Sequence, residues 1–226
     1  MSVLALVDHD RGVVGEVARQ ALTLARSLAE GAGDGPVEAV VIGEGSGDVD
    51  LGGSVDAAWR VEHPLLTDYA PGAWGEALMQ LAARRDPVAV VAPGTDRGNE
   101  VLANMAALSD LPMVANVTEV DPSRDPWEIV RVRWGGSLLE RAELSAAVRL
   151  VSTAAHAFPP APMSGGEPEV KAFTPSLDES HAVTRVAERV TVEVGTTLAT
   201  APVVVSGGRG VGGPEGFGPL EELAEL

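Results

Sequence analysis

Ser206-Gly207-Gly208-Arg209-Gly210 is the segment whose residue types come nearest to chemistry. It follows Pro202-Val203-Val204-Val205-Ser206, which reads as a short buried strand. It precedes Pro219-Leu220-Glu221-Glu222-Leu223, which reads as a helix start. A strand, a glycine turn and a helix N-terminus in that order offer unpaired backbone N–H groups and a positive helix end to an anion. Gly208, Gly210 and Gly213 match the G-x-G-x-x-G spacing of dinucleotide sites, where missing side chains let backbone approach a pyrophosphate. Arg209 adds a planar fork suited to phosphate oxygens. No Lys-Ser/Thr pair closes the motif, so it is not an ATPase loop. The acid expected about 20 residues further on would fall beyond Leu226, where the sequence stops.

Other candidates are simpler to read as structure. Asp8-His9-Asp10 stands at the C-terminal end of a strand, where α/β sites gather, but capping and turn formation account for it. The turn Pro93-Gly94-Thr95-Asp96-Arg97-Gly98-Asn99 lies between a strand and a helix and could bind a phosphate; helix capping by Thr95 or Asp96 is the favoured reading. His63, His156 and His181 lack ligand spacing, so no metal site is expected. No Ser/His/Asp arrangement is legible. With no cysteine there is neither a disulfide nor a thiolate nucleophile. Trp59, Trp74, Trp127 and Trp134 read as packing or interface residues.

The elements that must position these residues alternate in the first half. Val3–Val7, Val37–Gly43, Ala57–Val61 and Pro87–Ala92 read as strands, and Gly15–Glu30, Ala73–Arg85 and Asn99–Leu108 as helices. Repeated β-α units predict a three-layer, Rossmann-like, mostly parallel sheet with helices on both faces. After Leu111 the pattern changes. Met113–Val120, Glu128–Trp134 and Ala142–Ser152 read as strands adding antiparallel or edge pairings. Residues 159–168 form a Pro/Gly-rich connector, and Ala182–Val194 alternates like a further strand. The expected organisation is an α/β domain over residues 1–190, then a linker and the opening β-turn-α of a second, incomplete flavodoxin- or Rossmann-like domain over 191–226.

Charge narrows the partners. Asp and Glu number 33 against 16 basic residues, a net charge of −17, and Lys171 is the sole lysine. Such a field repels nucleic acid and anionic membranes. The acids are scattered, which suits a salt-adapted surface whose role is solubility. No apolar run is long enough to span a membrane, and the N-terminus lacks the basic region of a signal peptide. A cytoplasmic location is expected.

Val203-Val204-Val205-Ser206-Gly207-Gly208-Arg209-Gly210 resembles the signature that opens the flavin domain of electron transfer flavoprotein alpha subunits, and Glu215, Phe217 and Leu220 continue the likeness. Upstream, the short Val-Leu strand, His63-Pro64, Ala89–Thr95, Asn104–Leu108 and Leu111-Pro112 follow the order of that family's N-terminal domain. The resemblance implies a non-catalytic carrier that holds FAD as a heterodimer with a beta subunit and relays electrons from dehydrogenases to a quinone reductase. It implies that Arg209 contacts FAD, with Ser206, Gly207, Gly208 and Gly210 shaping the loop. The acid-rich, lysine-poor surface resembles family members from salt-loving microbes. Two further FAD-contacting stretches of the family, Gln-Val-Gly-Gln-Thr and Ser-Gly-Ala-Ile-Gln-His, do not occur here. The chain is thus expected to be C-terminally truncated and to bind FAD weakly or not at all. Where relatives carry Arg-x-x-Tyr-Ala-Gly-Asn-Ala, this chain has Arg131-Val132-Arg133-Trp134-Gly135-Gly136-Ser137. The alternative is an adenine-nucleotide or NAD(P)-binding α/β module using the 94–99 turn or the 208–213 fingerprint.

Overall fold

Short apolar runs buried on both faces make the centre of the sheet. β1 (Val3–Val7) is buried at every residue, and its alternate side chains divide between two cores. Val3, Ala5 and Val7 pack with Ala21, Leu24, Ala25 and Leu28 of one helix; Leu4 and Leu6 pack with Leu78 and Leu102 of two others. That division dictates three layers. The structure, a computed structural model, describes residues 2–163, 166–188, 196, 198 and 201–226. By contacts the chain divides into two compact units, Met1–Val186 and Ala187–Leu226.

In the first unit β1 is followed by the small antiparallel pair β2 (His9–Asp10) and β3 (Val13–Val14). α1 (Glu16–Gly31) leads to β4 (Val37–Ile42) and β5 (Ala57–Val61). α2 (Pro71–Arg85), β6 (Ala89–Ala92) and α3 (Asp96–Ser109) come next. α2 begins on Pro71, where a missing N–H costs nothing. α2 and α3 each run into an aspartate held left-handed, Asp86 at φ 49° and Asp110 at φ 53°. β7 (Met113–Asp121), β8 (Trp127–Arg133) and β9 (Leu138–Leu144) form a meander; β10 (Arg149–Thr153) and β11 (Glu169–Phe173) complete the sheet. Among the described residues the order is β11-β5-β4-β1-β6-β10-β7-β8-β9, parallel from β11 to β7 and antiparallel at β7–β8 and β8–β9. The mostly parallel, Rossmann-like α/β class expected from the β-α alternation is the class observed.

Four local expectations change. Ala142–Ser152 is two strands: β9 ends at Leu144, and β10 starts at Arg149. β10 does not extend the edge but inserts between β6 and β7, parallel to both, with Leu150–Thr153 buried. An edge strand appears at β11, beyond the connector, paired in parallel with β5. Residues 182–188 form no strand: a short 3-10 turn, Glu179–Ala182, seats Ala182 against the α2 and α3 core. The rest of that expected strand, 189–194, lies outside the described residues. Pro202–Ser206 is neither a strand nor buried. A Val-rich run has no ladder to join without a neighbouring strand.

Candidate functional site

The sheet order reverses between β1 and β6, and the crevice beyond their C-terminal ends is where open α/β sheets take ligands. Asp8 follows β1 and the Pro93–Thr95 turn follows β6. Thr95 is the N-cap of α3: its Oγ1 accepts the Gly98 N–H at 3.0 Å. The same hydroxyl donates to Asp8 Oδ2 at 2.9 Å. Gly94 N–H donates to Thr153 Oγ1 at 3.0 Å, and a Cβ on Gly94 would stand 2.0 Å from the Thr153 carbonyl oxygen. The turn is glycine because backbone crosses backbone there.

Charge in the crevice opposes an anion. Asp96 lies in the first turn of α3 and Asp8 accepts the hydroxyl of its N-cap, so both carboxylates already complement the positive helix end. Arg97 Nη1 lies 4.0 Å from Asp8 Oδ1, and its guanidinium sits over the Tyr69 ring at 5.2 Å. Tyr69 donates to Glu100 Oε2 at 2.7 Å; burial, then the Glu100 hydrogen bond and charge, push its phenol pKa up. Capping by Thr95 therefore accounts for the 93–99 turn, and the arrangement does not favour a nucleotide phosphate.

His9 is structural. Its Nδ1 accepts the Gly12 N–H at 3.2 Å, so the other ring nitrogen is the donor, and Nε2 meets the Ile42 carbonyl at 3.0 Å. Burial, its largest influence, lowers the imidazole pKa and keeps this neutral tautomer. His63 Nδ1 accepts the Leu65 N–H, and His181 completes a capping box with Asp178. No metal-holding cluster occurs among the described residues. Trp59, Trp74 and Trp127 are buried, whereas Trp134 is exposed.

One polar cluster went unread in the sequence. Glu38 is buried in β4, takes the Trp59 indole N–H at 2.5 Å and is clamped by Arg85 through Nε at 3.0 Å and Nη2 at 2.6 Å. Burial alone would raise this carboxyl, but the hydrogen bonds from Arg85 and Trp59 and the Arg85 charge outweigh it and hold the pKa below the ordinary value. A signal was present: a lone glutamate inside the apolar run Val37–Ile42 demands partners.

The second unit carries the predicted loop. Arg209–Val211 winds as one 3-10 turn, Pro214–Phe217 as another, and α4 (Gly218–Ala224) follows. Ser206, Gly207, Gly208, Arg209 and Gly210 are all exposed. Gly207 has a packing reason: a Cβ there would lie 2.5 Å from Val211 Cγ2 and 2.8 Å from Leu220 Cδ1. Gly208 and Gly210 have none, with nothing within 4 Å of their added Cβ atoms. The structure thus joins the five residues in one exposed, glycine-bare turn bearing a single cation. Among the described residues no helix is long and apolar enough to cross a membrane.

A family model described as the electron transfer flavoprotein domain matches residues 3–178. Electron transfer flavoprotein subunit alpha of Mycobacterium tuberculosis (strain CDC 1551 / Oshkosh) is 28% identical, with 99% of this chain and 69% of that protein aligned. The protein of the same name from Bacillus subtilis (strain 168) is 24% identical over 99% of this chain and 69% of its own length. Protein FixB of Azotobacter vinelandii is 25% identical over 99% of this chain and 65% of its own. The domain match takes in the whole mostly parallel sheet, from β1 through β11, so the chain belongs to the electron transfer flavoprotein domain family.

Proposed function

We propose that the chain acts as the alpha-type subunit of an electron transfer flavoprotein. It pairs with a beta subunit, shares an FAD with it, and works as a carrier between dehydrogenases and a quinone reductase rather than as an enzyme. The observation that carries this reading is that relatives named subunit alpha align over 99% of the chain, an extent that includes Ser206–Gly210.

The terminal loop fits one side of a phosphate-bearing cofactor. Open space at Gly208 and Gly210 lets backbone N–H groups come close to phosphate oxygens, and Arg209 supplies a charge-assisted fork. Ser206 and Gly207 set the loop's entry. Bound FAD would supply the redox chemistry, as cofactors do. One cation and one turn do not offset the cost of ordering a dinucleotide, so this chain by itself is expected to retain little FAD. A flavin titration followed by fluorescence tests both halves: weak binding to the chain alone, and tighter binding once the beta subunit is present. Equal affinity in the two cases would contradict the reading.

The reading extends to a cytoplasmic, salt-adapted protein. Its support is the surfeit of acids with a single lysine, a composition that keeps a protein soluble when self-repulsion is screened.

A further inference from the structure

The hairpin of β8 and β9 ends in a tip that the rest of its unit leaves uncovered. Trp134, Leu138 and Leu139 are 79%, 55% and 71% exposed. Strand register sets Val132 opposite Leu139 and Val130 opposite Arg141. These four share the hairpin face turned away from Trp127, Ile129 and Leu144, which pack in the α1 core. The core formed with α2 and α3 draws no residue from β8 or β9 among the described residues. Val132 and Leu139 therefore form an apolar pair at the tip end of a face that becomes acidic further along, at Glu119, Glu128 and Glu143.

The tip backbone is strained as well. Trp134 holds φ 54°, a region that bulky side chains rarely enter, and its carbonyl accepts the Ser137 N–H at 3.3 Å. Gly135 and Gly136, at φ 60° and 94°, continue the left-handed turn, and this tight connection holds the indole out in solvent.

Charge says what kind of surface would cover it. Residues 131–141 carry Arg131, Arg133 and Arg141 against Glu140 alone, in a chain of net charge −17. Glu140 pairs with Arg131 and lies 3.8 Å from Arg133. Arg141 is exposed and lines a shallow recess with Glu119, Asp121 and Glu128. The tip is a cationic, aromatic projection on an acidic protein.

We infer that this tip docks into a protein partner that offers an apolar recess rimmed by carboxylates; on the alpha-type reading, on which this inference rests, that partner is the beta subunit. An exposed tryptophan flanked by leucines and arginines has the composition of an interface anchor. The arginines steer an acidic rim towards it and set its register. A second copy of the chain fits worse. A two-fold contact would press two arginine-rich tips together, and an unclosed head-to-tail contact would leave a free tip at one end and a free recess at the other and go on growing.

Calorimetric titration of the whole chain with the beta subunit of the same organism tests this. Trp134→Asn, which tolerates the left-handed backbone, combined with Leu139→Ser should weaken association about tenfold or more, with the melting temperature of the chain unchanged. Arg141→Glu should slow association at low salt and flatten its salt dependence. Wild-type affinity in the double variant would overturn the inference while the heterodimer stands. No association of the wild-type chain would overturn both. A chain-only dimer in sedimentation, lost in the double variant, would overturn the choice of partner.

Discussion

Thr95 ties β1 to α3 with one hydroxyl, donating to Asp8 at 2.9 Å while accepting the Gly98 N–H at 3.0 Å. The residue that would open a phosphate site at this switch point instead closes it, and a carboxylate stands where an anion would have to come.

The first prediction follows from that closure. Calorimetry with ATP, AMP or NAD should show no micromolar binding to the chain, because an incoming phosphate meets Asp8 and Asp96. Thr95→Ala should cost about 1 kcal/mol of stability through the lost cap. Micromolar ATP affinity that disappears in Thr95→Ala would return the 93–99 turn to the status of a nucleotide site.

Glu38 carries the pH dependence. Its folded pKa lies below the ordinary 4.5, so its contribution is present above that value and is lost as pH falls through the lowered one. Glu38→Gln should cost roughly 2–3 kcal/mol near neutrality, less than a fully buried pair because Arg85 is partly exposed. The gap in melting temperature between wild type and variant should narrow as pH drops below the ordinary value. A gap that widens on acidification would mean that the Arg85 clamp does not hold the ionised form.

Glycines separate packing from access. Gly94→Ala should destabilise the first unit by about 1–3 kcal/mol or more, since its Cβ would meet the Thr153 carbonyl. Gly208→Ala should leave stability unchanged, because nothing lies within reach of its Cβ. Thermal melts of the two variants check the contrast; equal losses would mean that Gly208 packs against something.

Arg209→Ala should leave the melting temperature unchanged and weaken flavin binding to the chain–beta complex about tenfold, the worth of a charge-assisted hydrogen bond. Fluorescence titration reads this directly. An unchanged affinity would remove Arg209 from the cofactor's surroundings.

How much of this was legible depended on how each element is buried. Val3–Val7 and Ala89–Ala92 read correctly as strands because both faces are covered, which leaves unbroken apolar runs. β9 and β10 read as one strand because Ser145-Ala146-Ala147-Val148 has neither glycine nor proline to mark the break. β11 does not read as a strand because Glu169 and Lys171 make it look polar, and only Phe173 of its residues reaches the core. The Glu38 cluster joins residues 21 and 47 positions apart, a spacing no local pattern reveals. In the terminal loop the motif located the glycines, but only the fold distinguishes Gly207, which packs, from Gly208 and Gly210, which stay open.

The most direct measurement is native mass spectrometry of the chain expressed together with the beta subunit of its own organism. A one-to-one complex that survives purification, with FAD raising its occupancy, is the expected result. A chain that stays uncomplexed at micromolar concentrations, with and without FAD, would contradict it.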